Sequence, residues 1–284
     1  MPVELTPALL FLIQAILLIA GPFLFWRLSG LKHVAPMVVI QILFGIALGP
    51  SLLGQAAPEL WQPLFARESL APLSGLALLA VVFFAFLTGL HLDLEEFKGR
   101  GRAFVGISLS SMLVPTLLGG ALGWWIVGVF PEMAGPKADP LLFAAGFGIC
   151  VGVTALPVLG AILREMGLIG ERVGRLALGY AAVNDALLWL LITAVLALAA
   201  GGSGGFAGVA WIAVLGFAYL AATELFARPL LTRLMNRIAP DGDVGDMVVV
   251  VTCTALLGSA AVTELIGLHY ILGAFVAGTV MPRR

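Results

Sequence analysis

The sequence predicts an all-α polytopic membrane protein with about nine transmembrane helices. Three observations predict it. Of 284 residues, 61% are hydrophobic and only 11% charged, whereas a water-soluble domain runs near 45–50% apolar and about 25% charged. The apolar residues fall in blocks of about 20, the length a helix needs to cross roughly 30 Å of hydrocarbon. The 35 glycines and 16 prolines are scattered through those blocks, as is common in transmembrane helices. The charge balance also excludes nucleic-acid binding, since 15 basic residues against 16 acidic ones leave a net charge of −1.

The first span, 7–26, has no basic residue before it and is followed by Arg27, Lys32 and His33. It reads as a retained helix with its N-terminus outside, not as a signal peptide. Spans two to four are 35–54, 71–92 and 103–130; the fourth is long enough to tilt or to carry an extramembrane turn. In it, Gly119 and Gly123 form a small-xxx-small step for close helix packing. Trp61, Trp124 and Trp125 fit interfacial anchors. The remaining spans are 140–163, 176–200, 206–227, 246–263 and 268–282. Lys and Arg test the count. Thirteen follow the odd-numbered spans (Arg27, Lys32; Lys98, Arg100, Arg102; Arg164, Arg172, Arg175; Arg228, Arg233, Arg237; Arg283, Arg284) and two, Arg67 and Lys137, lie opposite. The positive-inside rule then sets the C-terminus in the cytoplasm, in the cell membrane.

Two features are set aside. The loop APDGDVGD, with Asp241, Asp243 and Asp246, departs from a calcium loop at Gly245 and Thr252 and reads as solvated. Cys150 and Cys253 lie in apolar runs and form no CxxC or disulfide framework.

Fourteen of the sixteen carboxylates fall in loops or at span ends. Glu224 lies inside span seven but one turn before Arg228, so it snorkels or pairs at i,i+4. Asp185 is different: ten residues past Arg175, it sits about 15 Å along its helix, near mid-membrane. A carboxylate there is costly and reads as functional by default; the alternative is a structural pairing with a neighbouring helix. Span five carries Gly146, Gly148, Gly152, Pro157 and Gly160 within one crossing. Pro157 lacks an N–H and should free the carbonyl of Val153, with the Thr154 hydroxyl beside it. Released carbonyls at mid-depth are how transporters commonly build a cation site; an ordinary proline kink with packing glycines is the other reading.

Depth links the two. Thr154 lies ten residues before Arg164, and Asp185 ten after Arg175, in consecutive spans joined by a short loop. Free carbonyls, a hydroxyl, the Asn184 amide and one carboxylate should converge, making a site of −1 charge for a monovalent cation or a proton. Burial favours the neutral form of a carboxyl group, so proton and cation compete for Asp185, and a site opening alternately to each side exchanges one for the other.

The stretch Gly148 to Leu196, GICVGVTALPVLGAILREMGLIGERVGRLALGYAAVNDALLWLLITAVL, resembles the heart of the sodium/hydrogen-exchanger superfamily. It is most similar to the monovalent cation:proton antiporter-2 branch with the plant-type cation/proton exchangers. The features are TALPVLGAILRE, GRLAL, and Asn184–Asp185 followed by Trp189. PMVVIQILFGIALGPSLLG, FFAFLTGLHLDLEEF and TELIGLHYILGAFVAGTVMP resemble the family's second, third and ninth spans. The resemblance implies two inverted six-helix repeats around a linker helix, a homodimer, and elevator-like movement of a core with two crossing broken helices. It implies that Asp185 carries the ion and proton, with Asn184 as its neutral partner and Thr154 in the break. Relatives with Asn-Asp at this pair are often electroneutral.

On that pattern residues 1–200 are the first repeat, with broken helix 140–163 and ion-site helix 176–200. Residues 206–227 are the linker helix and 246–284 the start of a second repeat whose C-terminal part is missing. Gln41 stands where many relatives have Glu. The expected function is antiport of K⁺ or Na⁺ against protons, not enzymatic, with no cofactor and no metal beyond the transported cation; its partners are the lipid bilayer and a second copy of the chain. The alternative is a truncated, non-transporting remnant or partner subunit. A channel, with far faster currents, is a further reading. An intramembrane enzyme finds no support, since His33, His91 and His269 all lie at span ends.

Overall fold

The computed structural model describes residues 6–65, 69–91, 101–135, 139–199, 205–240, 242 and 245–282. Arg67, Lys98, Arg100, Lys137, Asp241, Asp243, Arg283 and Arg284, which entered the charge count and the acidic loop, lie outside them. Among the described residues there is no strand, and eight helical segments are long and apolar enough to cross a membrane. The protein is an all-α polytopic membrane protein. Many large apolar side chains are exposed, such as Leu24, Phe25, Trp125 and Phe217, as a lipid-facing surface requires.

The chain divides into two compact units, one of Met1–Val81 with Ala161–Leu168, the other of Val82–Gly160 with Ile169–Arg284. In the first, α1 (Pro7–Leu28) packs on α2 (Met37–Leu48), and α3 (Leu53–Ala56) and α4 (Pro58–Phe65) follow. Gly21 lets α1 approach the Phe44 ring, where an added methyl would lie 2.7 Å from ring carbons. Gln14, fully buried on α1, donates to the Leu64 carbonyl and to the Ser69 hydroxyl at 2.9 Å. The N-terminus of α2 begins at Pro36, which has no side-chain donor or acceptor to cap it; instead the Glu165 carboxylate accepts from the Met37 N–H at 2.7 Å. This satisfies one orphan amide and sets a negative charge at the positive end of the helix. Glu165→Ala is expected to destabilise the protein by about 0.5–2 kcal/mol, the usual worth of an N-cap, read as a lowered melting temperature in detergent.

The second unit holds the end of α5 (Leu70–Leu90), then α6 (Gly101–Val129), α7 (Pro140–Gly152), the start of α8 (Leu156–Glu165), whose end belongs to the first unit, α9 (Arg172–Ala199), α10 (Gly205–Ala222), α11 (Arg228–Ile238), α12 (Asp246–Ile266) and α13 (Tyr270–Val280). Within it α6 lies antiparallel to α7, because Gly123 faces Ala144 and Phe147 while Gly119 faces Gly148 and Val151. A methyl on Gly119 would sit 2.6 Å from Val151 Cβ, and one on Gly148 would overlap the Thr116 carbonyl. The small-xxx-small step thus brings two backbones together.

The apolar run read as 206–227 does not end there. A π-turn at Thr223–Ala227 joins α10 directly to α11. Pro229 lacks an N–H and crowds the carbonyl four residues earlier; widening the helix just before it relieves both problems. Glu224 lies in the π-turn and pairs with Arg228 at 2.9 Å, the expected i,i+4 contact. The ninth span is also shorter than its apolar run. Gly267, at φ 94°, ends α12 in the left-handed region, and His269 caps α13, which has 11 residues. Eleven residues rise about 17 Å, well short of the bilayer core. α13 is accordingly buried in protein along most of its length. It meets α5 where Gly89 and Gly278 abut, and packs through Gly273 on Ser259 and Thr263 of α12.

Candidate ion site

Proline and glycine shape the first wall. α7 ends at Gly152, residues 153–155 are non-helical, and α8 resumes at Leu156, so Pro157 falls in its first turn where no N–H is needed. Val153 is extended, at φ −67° and ψ 133°, and its N–H returns to the Ile149 carbonyl at 3.0 Å. Its side chain is 43% exposed, while Thr154 and Pro157 are half-buried. Since Pro157 cannot donate to the Val153 carbonyl, the break leaves that oxygen without its helical partner.

The second wall is α9. Asn184 is 4% and Asp185 7% exposed. Asn184 Nδ2 donates to Ser111 Oγ on α6 at 3.0 Å. Asn184 Oδ1 and Asp185 Oδ2 are buried and have no hydrogen-bond partner among the described residues. No ion pair reaches Asp185 there either. A buried polar oxygen left unpaired is costly and uncommon, so two adjacent ones call for an explanation beyond packing.

The third wall, α6, was not singled out in the sequence. It contributes Ser111, and it also carries Ser108 and Thr116, whose hydroxyls are buried and unpartnered among the described residues. The available signal was the hydroxyl residues Ser108, Ser111 and Thr116 within one apolar span, ISLSSMLVPTLLGG. Serine and threonine in helices commonly bond their own backbone, which hides such a signal.

Contacts fix the relative levels of these walls. Phe104 stacks on Tyr180 at 5.1 Å, Ser111 bonds Asn184, and Met112 packs with Leu188, so α6 and α9 run parallel. On its other flank the same turn of α6 meets the end of α7: a methyl on Gly152 would overlap the Thr116 hydroxyl and lie 3.2 Å from the Met112 carbonyl. Ile149, Met112 and Leu188 form one cluster. The break begins four residues beyond Ile149, and Asp185 lies three before Leu188 on an antiparallel helix, which brings both to one level. No hydrogen bond joins Thr154 or Val153 to Asp185 Oδ2 among the described residues.

Residues 14–284 match the family described as sodium/hydrogen exchanger, transmembrane. The chain belongs to this family. It is 32% identical over 283 residues to Cation/H(+) antiporter 19 of Arabidopsis thaliana, covering 99% of this chain and 34% of that protein. It is 28% identical to Na(+)/H(+) antiporter NhaS4 of Synechocystis, covering 98% of this chain and 67% of the relative. To K(+)/H(+) antiporter 1 of Saccharomyces cerevisiae it is again 28% identical, over 98% of this chain and 32% of the yeast protein. The chain spans about a third of the length of the plant relatives it matches. The exchanger family is a family of transporters, and its members here carry names of cation/proton antiporters.

Proposed function

We propose that this exchanger-family chain trades a monovalent cation, K⁺ or Na⁺, for protons, with Asp185 as the carrier and Asn184 as its neutral partner. The observation that carries the reading is the pair of buried, unpartnered oxygens on Asn184 and Asp185 at the level of the Val153–Ala155 break. One carboxylate among neutral oxygens holds one positive charge at a time. Binding a cation requires the ionised form, and binding a proton removes the charge that holds the cation. The Val153 carbonyl and Thr154 hydroxyl stand ready as further oxygen donors when the site closes around its ion, while Pro157 and Gly152 hold the break open.

Access alternates between sides, so that the loaded site delivers a cation one way and a proton the other. With a single carboxylate the exchange is one for one and electroneutral. The relatives' names include both a K(+)/H(+) and a Na(+)/H(+) antiporter, in keeping with either cation as substrate. The chain sits in the cell membrane with its N-terminus outside, and works as a homodimer.

The test is reconstitution of the purified chain in liposomes containing a pH-sensitive dye. An imposed K⁺ or Na⁺ gradient is expected to move the internal pH, and the movement should vanish in Asp185→Asn. Cation gradients that leave the pH unchanged, or an Asp185→Asn protein with an unaltered rate, would overturn the reading.

A further inference from the structure

Ser108 is fully buried at 0% exposure, yet its hydroxyl has no partner among the described residues. Its neighbours behave otherwise: Ser110 bonds the Ile107 carbonyl at 3.1 Å and Ser111 bonds the carbonyl of Ser108 at 2.9 Å. A buried helical serine can return its hydroxyl to the preceding turn; Ser108 does not. It lies on α6 between two contacts with α9, the Phe104–Tyr180 stack and the Ser111–Asn184 hydrogen bond, and so about one helical turn from the level of Asn184 and Asp185. Three oxygens within about one turn of one another along the α6–α9 contact, Ser108 Oγ, Asn184 Oδ1 and Asp185 Oδ2, are thus buried and unpaired. A hydroxyl is both donor and acceptor, so pairing with a neighbouring oxygen was chemically open to it.

We propose that Ser108 is a ligand of the transported cation that sets its affinity and selectivity, and that Ser111 is the positioning residue that holds Asn184 for it. Ser111 acts through the amide. By accepting from Asn184 Nδ2 it fixes the group so that Oδ1, not the NH₂, is left for the ion. An NH₂ turned toward the site would repel a cation. Ser108 then adds a neutral hydroxyl oxygen to the amide oxygen and the carboxylate, the hard-oxygen set that an alkali cation accepts in place of water. This deepens the Asp185 reading and rests on it.

The experiment compares wild type, Ser108→Ala, Ser111→Ala, Ser110→Ala and Asp185→Asn in the liposome assay with Na⁺ and with K⁺. Ser108→Ala is expected to raise the apparent KM for the cation about tenfold, the loss of one ion-assisted contact. Its maximal rate should hold within about twofold and its Na⁺/K⁺ preference should change, which mere loosening of a helix does not produce. Ser111→Ala should raise KM for both cations and Ser110→Ala neither. Unchanged KM values and selectivity in Ser108→Ala, with wild type active and Asp185→Asn dead, would overturn this proposal and leave the Asp185 reading standing. Failure of wild type to exchange, or activity in Asp185→Asn, removes both. Should Ser108→Ala not fold, Ser108→Cys, which keeps the side chain's shape but replaces the hard oxygen with sulfur, is measured in its place with the same expected rise in KM, and an unchanged KM overturns the proposal.

Discussion

Asp185→Asn is expected to reduce cation-driven proton movement at least about 100-fold, to the level of empty liposomes, while leaving the melting temperature within a few degrees of wild type. The asparagine has nearly the same shape, so packing against α6 and α7 is kept. What disappears is the ability to be negative in one half of the cycle and neutral in the other. An amide neither takes up a proton at physiological pH nor supplies a full charge for a dehydrated cation, so both halves of the exchange fail together. Because Asp185 has no basic partner among the described residues, the variant strands no opposite charge. A purely structural Asp185 gives the opposite pattern, a stability change with the rate retained. Measuring rate and melting temperature on the same preparation separates the two.

The largest effect on folding is expected where α5 and α13 cross. A methyl on Gly89 would overlap the Phe275 carbonyl, and one on Gly278 would overlap the carbonyl of Phe86. In each case the obstacle is backbone, which cannot swing aside as a flexible side chain does. Overpacking in a well-filled core costs about 1–3 kcal/mol, and a rigid obstacle puts these sites at or above the upper end. Gly278→Val and Gly89→Val should therefore lose most of the monodisperse protein in size-exclusion chromatography. Gly128→Ala, on α6 with open space around it, should not. Monodisperse, wild-type-like Gly278→Val protein would show that this crossing does not hold α13 in place.

Which parts of this molecule were legible in the sequence follows from what each signal depends on. Helix length and apolar content are local, so the long spans were readable, and α1, α5 and α12 match them within a few residues. The broken fifth span was legible because Pro157 and the glycines act through backbone chemistry that needs no partner. Continuation of α10 through a π-turn into α11 was not, since Arg228 and Pro229 look like an ending and only the turn's geometry reconciles them with a helix. The shortness of α13 was hidden for a similar reason: the run read as 268–282 begins with Leu268 and His269, residues spent on the turn and the cap, and ends past Val280. Asp185 stood out by its depth: a carboxylate near the middle of an apolar span is costly, whereas Glu224, near a span end, can snorkel or pair. Ser108, Ser111 and Thr116 did not. Small hydroxyl residues are ordinary in membrane helices, and their interest lies in which oxygens stay unpaired once α6, α7 and α9 are packed.

The most direct test of the central claim is the apparent KM for the cation as a function of pH, measured on the reconstituted wild-type chain with equal pH on both sides. If one carboxylate serves both ions, proton and cation exclude each other. KM then rises as pH falls, approaching about tenfold per unit once the protonated form dominates, while the maximal rate at saturating cation stays constant. A KM independent of pH, with acid lowering only the maximal rate, would contradict a shared site at Asp185.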